Sequence, residues 1–246
     1  MPRVYLSPST QEGNYYVTGG TEEQSMNLLC DQVIPYLEAS GIAYTRNDPN
    51  QSAAAAIRQA NAGSYGLYVA LHSNAAPEGR YGTQRGVDIY YYRYSQNSRR
   101  AAELFVHQLQ EVYPLPQSVR AVSTETLGEV SRTRAPAVLL ELGYHDNVSD
   151  ADWIQSSRPA VARAIAAGIT EFFALPLAMP QTPQPAQVRI RSGTLNIRAR
   201  PSLRGTVLAS AANGSALTVV GTLEDWFVVR YGSLTGYAAR EYVKLL

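Results

Sequence analysis

Cysteine is almost missing from this chain: Cys30 stands alone among 246 residues. No internal disulfide framework can form, and no zinc cage of thiolates is possible; the redox compartment stays open. A surplus of charge is missing too. The 21 Lys and Arg nearly balance the 20 Asp and Glu, for a formal net charge of +1, so no field exists to gather phosphates and nucleic acid is not expected as a partner. Charged residues make up 17% and hydrophobic ones 45%, the balance of an ordinary globular protein with no expected membrane insertion. The opening Met1-Pro2-Arg3-Val4-Tyr5-Leu6 lacks the charged, then apolar, then small-residue order of a secretory signal. The expectation is a chain without a signal peptide, exported unconventionally or after losing a leader.

What is present divides the chain in two, as a length of 246 residues allows. Between 176 and 187 four prolines forbid a continuous helix or central strand and predict an extended linker. Upstream, over 1–175, short apolar runs alternate with amphipathic stretches, which predicts an α/β domain with a mixed, mostly parallel sheet flanked by helices. Strands are expected near 4–6, 42–46, 67–71, 87–92 and 137–142, and helices near 22–39, 53–61, 98–112 and 159–173. In the first helix Met26, Leu29, Val33 and Leu37 recur at helical spacing, and Glu22 begins the same stripe. A carboxylate on a buried stripe invites a partner. Downstream, 188–246 carries short alternating runs punctuated by glycine, the pattern of a small all-β barrel.

Two segments of the first domain place a polar residue after an apolar strand: Val69-Ala-Leu-His72-Ser-Asn74-Ala75 and Val138-Leu-Leu-Glu141-Leu-Gly143-Tyr144-His145-Asp146-Asn147. Sites of open α/β sheets assemble at the carboxyl ends of strands, so His72 and Glu141 could face one crevice. A lone histidine is more often a hydrogen-bonded structural residue, whereas a glutamate is rarely buried unless paired.

These segments resemble the paired signatures of the zinc-dependent N-acetylmuramoyl-L-alanine amidase family, Ser-x-His-x-Asn-Ala and Glu-Leu-Gly-Phe-x-x-Asn. The order of other pieces is similar as well: a glutamate opening the first long helix, Thr45-Arg46, Arg58 with Ala60-Asn61, and Gly86-Val-Asp-Ile-Tyr-Tyr91. The similarity spans most of 1–174. It implies a zinc ion held by His, Glu and His, with a separate glutamate acting on the attacking water. Carried over by position, His72 and Glu22 are metal ligands, Glu141 is the catalytic carboxylate, and Asn74 belongs to the substrate-binding set. Glu22 is preferred to Glu23 for its distance of eight residues from Cys30 and for its place on the apolar stripe; Glu23 stays an alternative.

At the first ligand this chain departs from the family. Where Asp-Pro-Gly-His-Gly is usual, it reads Ser7-Pro8-Ser9-Thr10-Gln11-Glu12. Thr10 aligns directly with the missing histidine, and a shift of one residue offers Gln11, a weaker ligand through its amide oxygen. His107 is expected to be structural, and His145 matches no ligand position. Arg132 and Arg134 precede the last strand, and Arg134 is taken as the residue that binds a stem-peptide carboxylate. The run Tyr90-Tyr-Tyr-Arg-Tyr94 reads as a strand with aromatics on both faces.

The tail resembles a bacterial SH3-like domain in Leu195-Asn-Ile-Arg198-Ala-Arg-Pro201, Gly214, Trp226 and Gly236-Tyr237. The resemblance implies wall binding through Arg198, Trp226 and Tyr237. The resulting expectation is a peptidoglycan hydrolase with Zn2+ as cofactor and peptidoglycan as partner, outside the cell at the bacterial wall, as an autolysin or a phage lysin would be. A rival keeps the fold without catalysis, as a wall-binding or regulatory protein that has lost its first ligand.

Overall fold

The computed structural model describes residues 2–246, which fall into two compact units. One comprises residues 3–34 and 44–173; the other comprises 174–246 together with Pro2 and 35–43.

Along the chain β1 (Arg3–Pro8) is followed by α1 (Glu22–Ala39), β2 (Ala43–Arg46), α2 (Ala53–Ala62), β3 (Leu67–Asn74) and β4 (Val87–Tyr92), all in the first unit except for the last turn of α1 and Ala43, which are counted with the other. Then come α3 (Gln96–Gln110), β5 (Val119–Thr124), the one-turn α4 (Gly128–Ser131), β6 (Ala137–Tyr144), α5 (Val148–Ser156) and α6 (Arg158–Phe172). The six strands lie in the order β2-β1-β3-β6-β4-β5. β1, β3 and β6 run parallel, and β4 is antiparallel to β6. The mixed, mostly parallel sheet flanked by helices is therefore present. Leu67–Leu71 and Ala137–Leu140 are buried throughout, as central strands covered on both faces must be.

Three elements escaped the sequence reading. β5 pairs only with β4 and buries little besides Val119, so as an edge strand it carries no alternating apolar pattern. α5 is short and begins at Asn147, whose side chain accepts from the amides of Ser149 and Asp150 as an N-cap. α4 is too short for any periodicity to show.

The turn after β6 is set by Gly143, with φ of 78°, where an added Cβ would also press 3.2 Å from the Asp150 side chain. Asp150 is fully buried and accepts from the amides of Gly86 and Tyr144, the Tyr113 hydroxyl and Arg85 Nε. That carboxylate ties the carboxyl end of β6 to its surroundings.

The second unit contains β7 (Met179–Val188), β8 (Thr194–Arg198), β9 (Val207–Ala212), β10 (Ala216–Thr222), β11 (Trp226–Tyr231), β12 (Leu234–Ala239) and β13 (Val243–Leu245). They form an all-antiparallel sheet in the order β13-β7-β10-β11-β12-β8-β9. Its core is aliphatic with one phenylalanine: Val188, Ile197, Leu217, Val219, Phe227 and Val229 are among its buried members.

The linker expected over 176–187 is corrected here. Most of it is β7, extended as expected but hydrogen-bonded to β10. Pro180 and Pro183 are tolerated because β13 pairs only with residues from Ala186 onward, which leaves their edge open, and Pro185 at its margin serves only as an acceptor, for the Leu246 amide at 3.0 Å.

Candidate functional site

β1, β3 and β6 end side by side, with Pro8 opposite Leu71 and His72 opposite Glu141. The chain leaving β1 is held against β3 by the Ser9 amide on the Leu71 carbonyl, 2.9 Å. This register puts the post-β1 turn, the end of β3 and the end of β6 around one cleft of about 390 Å3. Thr10, Gln11, His72, Glu129, Arg132 and Glu141 all line it.

His72 is the hub. Its Nδ1 lies 2.8 Å from Glu22 Oε1 and 3.3 Å from Gln11 Nε2. Its Nε2 lies 2.9 Å from Glu129 Oε2. Asn14 Nδ2 donates to both Glu22 Oε2 at 2.6 Å and Gln11 Oε1 at 3.1 Å. The backbone amide of Ser73 adds a donor to Glu22 Oε1 at 3.3 Å. Glu22, first residue of α1, is fully buried, whereas Glu23 turns to Asn27 Nδ2 at 2.9 Å.

Charge decides the protonation states. Burial alone would lower the His72 pKa, but the carboxylates of Glu129 and Glu22 outweigh it and raise it to about 10. Burial would raise Glu22 and Glu129, yet hydrogen bonds and charge from His72 hold both below the usual carboxylate range. Glu141 lacks such a partner: its Oε2 is buried with no hydrogen bond. Burial first, then the charges of Glu22, Asp88 and Glu129, push its pKa up to about 7 against the opposing charge of His72.

Beside Nδ1 stand one carboxylate oxygen and the Gln11 carboxamide, whose nitrogen faces Nδ1 and whose oxygen is held by Asn14; with that amide turned the three could hold a metal ion, although among the described residues no group of three or more His, Cys, Asp or Glu is placed to do so. A histidine in place of the carboxamide would bind more strongly. Two buried carboxylates, Glu22 and Glu129, flank the imidazole, and the half-buried Glu141 nearby has an orphaned oxygen, a surrounding that attracts a cation.

Other expected residues lie elsewhere. Asn74 does not line the cleft; its Oδ1 accepts from the next amide, Ala75, at 2.9 Å, and its carbonyl takes the His145 amide. Arg134 is exposed and does not line the cleft either; its Nη1 donates to the Asn61 carbonyl, 3.2 Å, while Arg132 is the arginine at the cleft. His145 is buried with Nδ1 on Ser73, and His107 is exposed on α3, so neither reaches the site.

Glu129, Asn14, Ser7 and Tyr68 were not anticipated. Glu129 Oε1 accepts from Ser7 Oγ at 2.7 Å and from Tyr68 OH at 2.6 Å. The available signal was a glutamate between Leu127 and Val130 just ahead of a buried strand, but one turn of helix shows no face.

In the second unit Arg198 and Trp226 line an open groove of about 980 Å3 with Arg189, Arg191, Glu241 and Tyr242. Tyr237 is corrected: it is 2% exposed, with its hydroxyl donating to the Ser40 carbonyl of the same unit at 2.7 Å. An aromatic on the inner face of a strand cannot touch a ligand outside it.

Comparison with known proteins agrees with this architecture. Residues 9–171 match the family described as N-acetylmuramoyl-L-alanine amidase, and 193–244 match the bacterial SH3 domain. The uncharacterized protein YqiI of Bacillus subtilis (strain 168) is 29% identical over 163 residues, covering 64% of this chain and 77% of that protein. The N-acetylmuramoyl-L-alanine amidase AmiC2 of Nostoc punctiforme shares the fold at a TM-score of 0.61 and 17% identity, covering 70% of this chain and 97% of the other. The catalytic domain of CwlV, an N-acetylmuramoyl-L-alanine amidase from Bacillus (Paenibacillus) polymyxa var. colistinus, gives 0.60 and 19%, covering 71% and 99%. The chain is thus a member of the N-acetylmuramoyl-L-alanine amidase family, carrying a bacterial SH3 domain after the amidase domain.

Proposed function

We propose that the chain hydrolyses the amide between the lactyl carbonyl of N-acetylmuramic acid and the L-alanine nitrogen of the peptidoglycan stem, acting outside the cell at the wall. Gln11, Glu22 and His72 would hold a zinc ion, which supplies a Lewis acid for the carbonyl and acidifies water toward a pKa of about 7. The observation that carries this reading is that Gln11, His72 and Glu141 line one cleft of an amidase-family chain, with the buried carboxylate of Glu22 held against His72 Nδ1.

Glu141 does the proton work. Its unpartnered Oε2 and a pKa of about 7 suit a group that must both take and release a proton at neutral pH. It accepts the proton of the attacking water and delivers it to the alanine nitrogen as the carbon–nitrogen bond breaks. Glu22 stays ionised, and Asn14 and the Ser73 amide fix its orientation. Arg132 offers its guanidinium at the cleft to a carboxylate of the stem peptide. The groove with Arg198 and Trp226 holds the wall, raising local substrate concentration without touching the chemistry.

The test is a mass-spectrometric digest of purified peptidoglycan. Wild type should release free stem peptides with intact glycan strands, and Glu141→Ala should release them at least about 100-fold more slowly.

One observation favours a second reading, a wall-binding protein without turnover. Both nitrogens of His72 are taken by carboxylates, and the Gln11 oxygen is held by Asn14, an arrangement complete in itself. Wall binding with no released peptide from wild type would select it.

A further inference from the structure

We propose that Glu129 is the positioning residue of this site: its carboxylate takes the Nε2 proton of His72 and so presents Nδ1 to Glu22 and Gln11. The inference rests on the metal-site reading above and adds a residue to it.

The two ring nitrogens of an imidazole are distinct, and the partner of one determines what the other can do. Glu129 Oε2 stands 2.9 Å from Nε2, while Glu22 and Gln11 gather at Nδ1. Glu22 and Glu129 therefore lie on opposite edges of the ring. An ion bound at Nδ1 beside Glu22 has Glu129 behind the ring, so Glu129 acts through His72 instead of joining the donors. A metal-binding histidine that hands its second N–H to a carboxylate is fixed in tautomer and orientation and made more basic.

Glu129 is itself fixed. Oε1 is engaged by the hydroxyls of Ser7 and Tyr68, which leaves Oε2 for His72. Thr133 Oγ1 caps its carbonyl at 3.2 Å, and the turn is closed by the Ser131 amide on Leu127 and the Arg132 amide on Gly128. The side chain is 7% exposed. A buried carboxylate is expensive compared with an apolar side chain of similar size, so packing alone does not account for it. Three donors from β1 and β3, with His72 among them, do.

The test uses the full chain labelled with 15N-histidine. Only three histidines contribute signals, and His72 is assigned by its loss in His72→Asn. In wild type the proton on Nε2 should exchange slowly, and with zinc added Nδ1 should be unprotonated. Glu129→Leu should lose the slowly exchanging proton and weaken zinc about 10- to 100-fold in competition with a chromogenic chelator. Glu129→Gln keeps an acceptor oxygen and the side-chain shape, so it covers the case in which the leucine variant fails to fold; its zinc affinity should fall by less, and measurably. Zinc affinity within twofold of wild type in both variants, or a protected Nε2 proton that survives in Glu129→Leu, overturns the proposal. If wild type takes up no zinc, the metal reading fails by itself. Loss of the protected proton in Glu129→Leu then still supports the positioning role, and its survival still refutes it.

Discussion

The two units of this chain bury opposite things. Around the ends of β1, β3 and β6 the interior holds Glu22, His72, Asp88, Glu129 and Asp150, each given hydrogen-bond partners. The second unit's main core cluster contains no carboxylate, imidazole or other charged side chain: its buried members are Val, Leu, Ile, Ala and Phe, and arginines line an open groove. Buried polar groups are costly unless satisfied, so the first unit is specified by a network in which each member depends on the rest. The second is specified by apolar area and keeps its binding chemistry on the surface. A site that handles protons needs the former; a site that holds a polymer does not.

The largest effect expected from breaking this contrast is catalytic. Glu141→Ala should lower stem-peptide release by about 10²–10⁴-fold and leave sedimentation with purified walls unchanged, because Glu141 lines only the cleft.

Stability comes next, and the two units should fail differently. Asp150→Ala leaves Arg85, Tyr113 and two amides without their acceptor, a loss of about 3–5 kcal/mol in denaturant unfolding. Phe227→Ala, in the apolar core, should cost a similar amount of about 3–5 kcal/mol, but from lost packing. Asp150→Asn should stay strongly destabilised, since the charge is part of the pairing, while Phe227→Leu should recover most of its loss.

Acidity sharpens the contrast. His72 is raised to about 10 from its ordinary 6.5, so its pairing stabilises the metal-free chain fully below pH 6.5 and fades as pH climbs through about 10. Glu22 and Glu129 are lowered, so their contribution is present above about 4.5 and is lost on acidification. Glu141 acts the other way: raised to about 7, it favours the folded state less as pH rises from 4.5 to 7. Hydrogen exchange in the presence of chelator should therefore show β3 losing protection near pH 10, while β10, which pairs with β7 and β11 and has no buried carboxylate or imidazole beside it, keeps its protection after correction for intrinsic rates.

The smallest effect belongs to the groove. Trp226→Ala or Arg198→Ala should weaken wall binding by about 1 kcal/mol, roughly fivefold. Tyr237→Phe, which loses only a buried hydroxyl contact, should leave binding as it is and show its effect in thermal stability.

Much of this was legible in the sequence where a single physical signal dominates. Continuous apolar runs marked β3 and β6, the three- and four-residue spacing marked α1, and a polar residue closing each strand marked His72 and Glu141. Signals that depend on neighbours were not legible. The prolines of β7 were read for what they forbid, although an open strand edge forbids nothing there. Glu129 lies in a single helical turn, and only the fold brings Ser7, Tyr68 and His72 to it. The inward direction of Tyr237 and the separation of Arg132 from Arg134 are likewise set by register and by Asn61.

The central claim is that Gln11, Glu22 and His72 form a metal site although the family's first histidine is missing. Elemental analysis of the purified chain, with Glu22→Ala and Gln11→His beside wild type, tests it directly. The account predicts about one zinc per wild-type chain, loss of that zinc in Glu22→Ala and tighter retention against chelator in Gln11→His. A wild-type chain without zinc, or a Glu22→Ala chain that keeps it, would contradict the account.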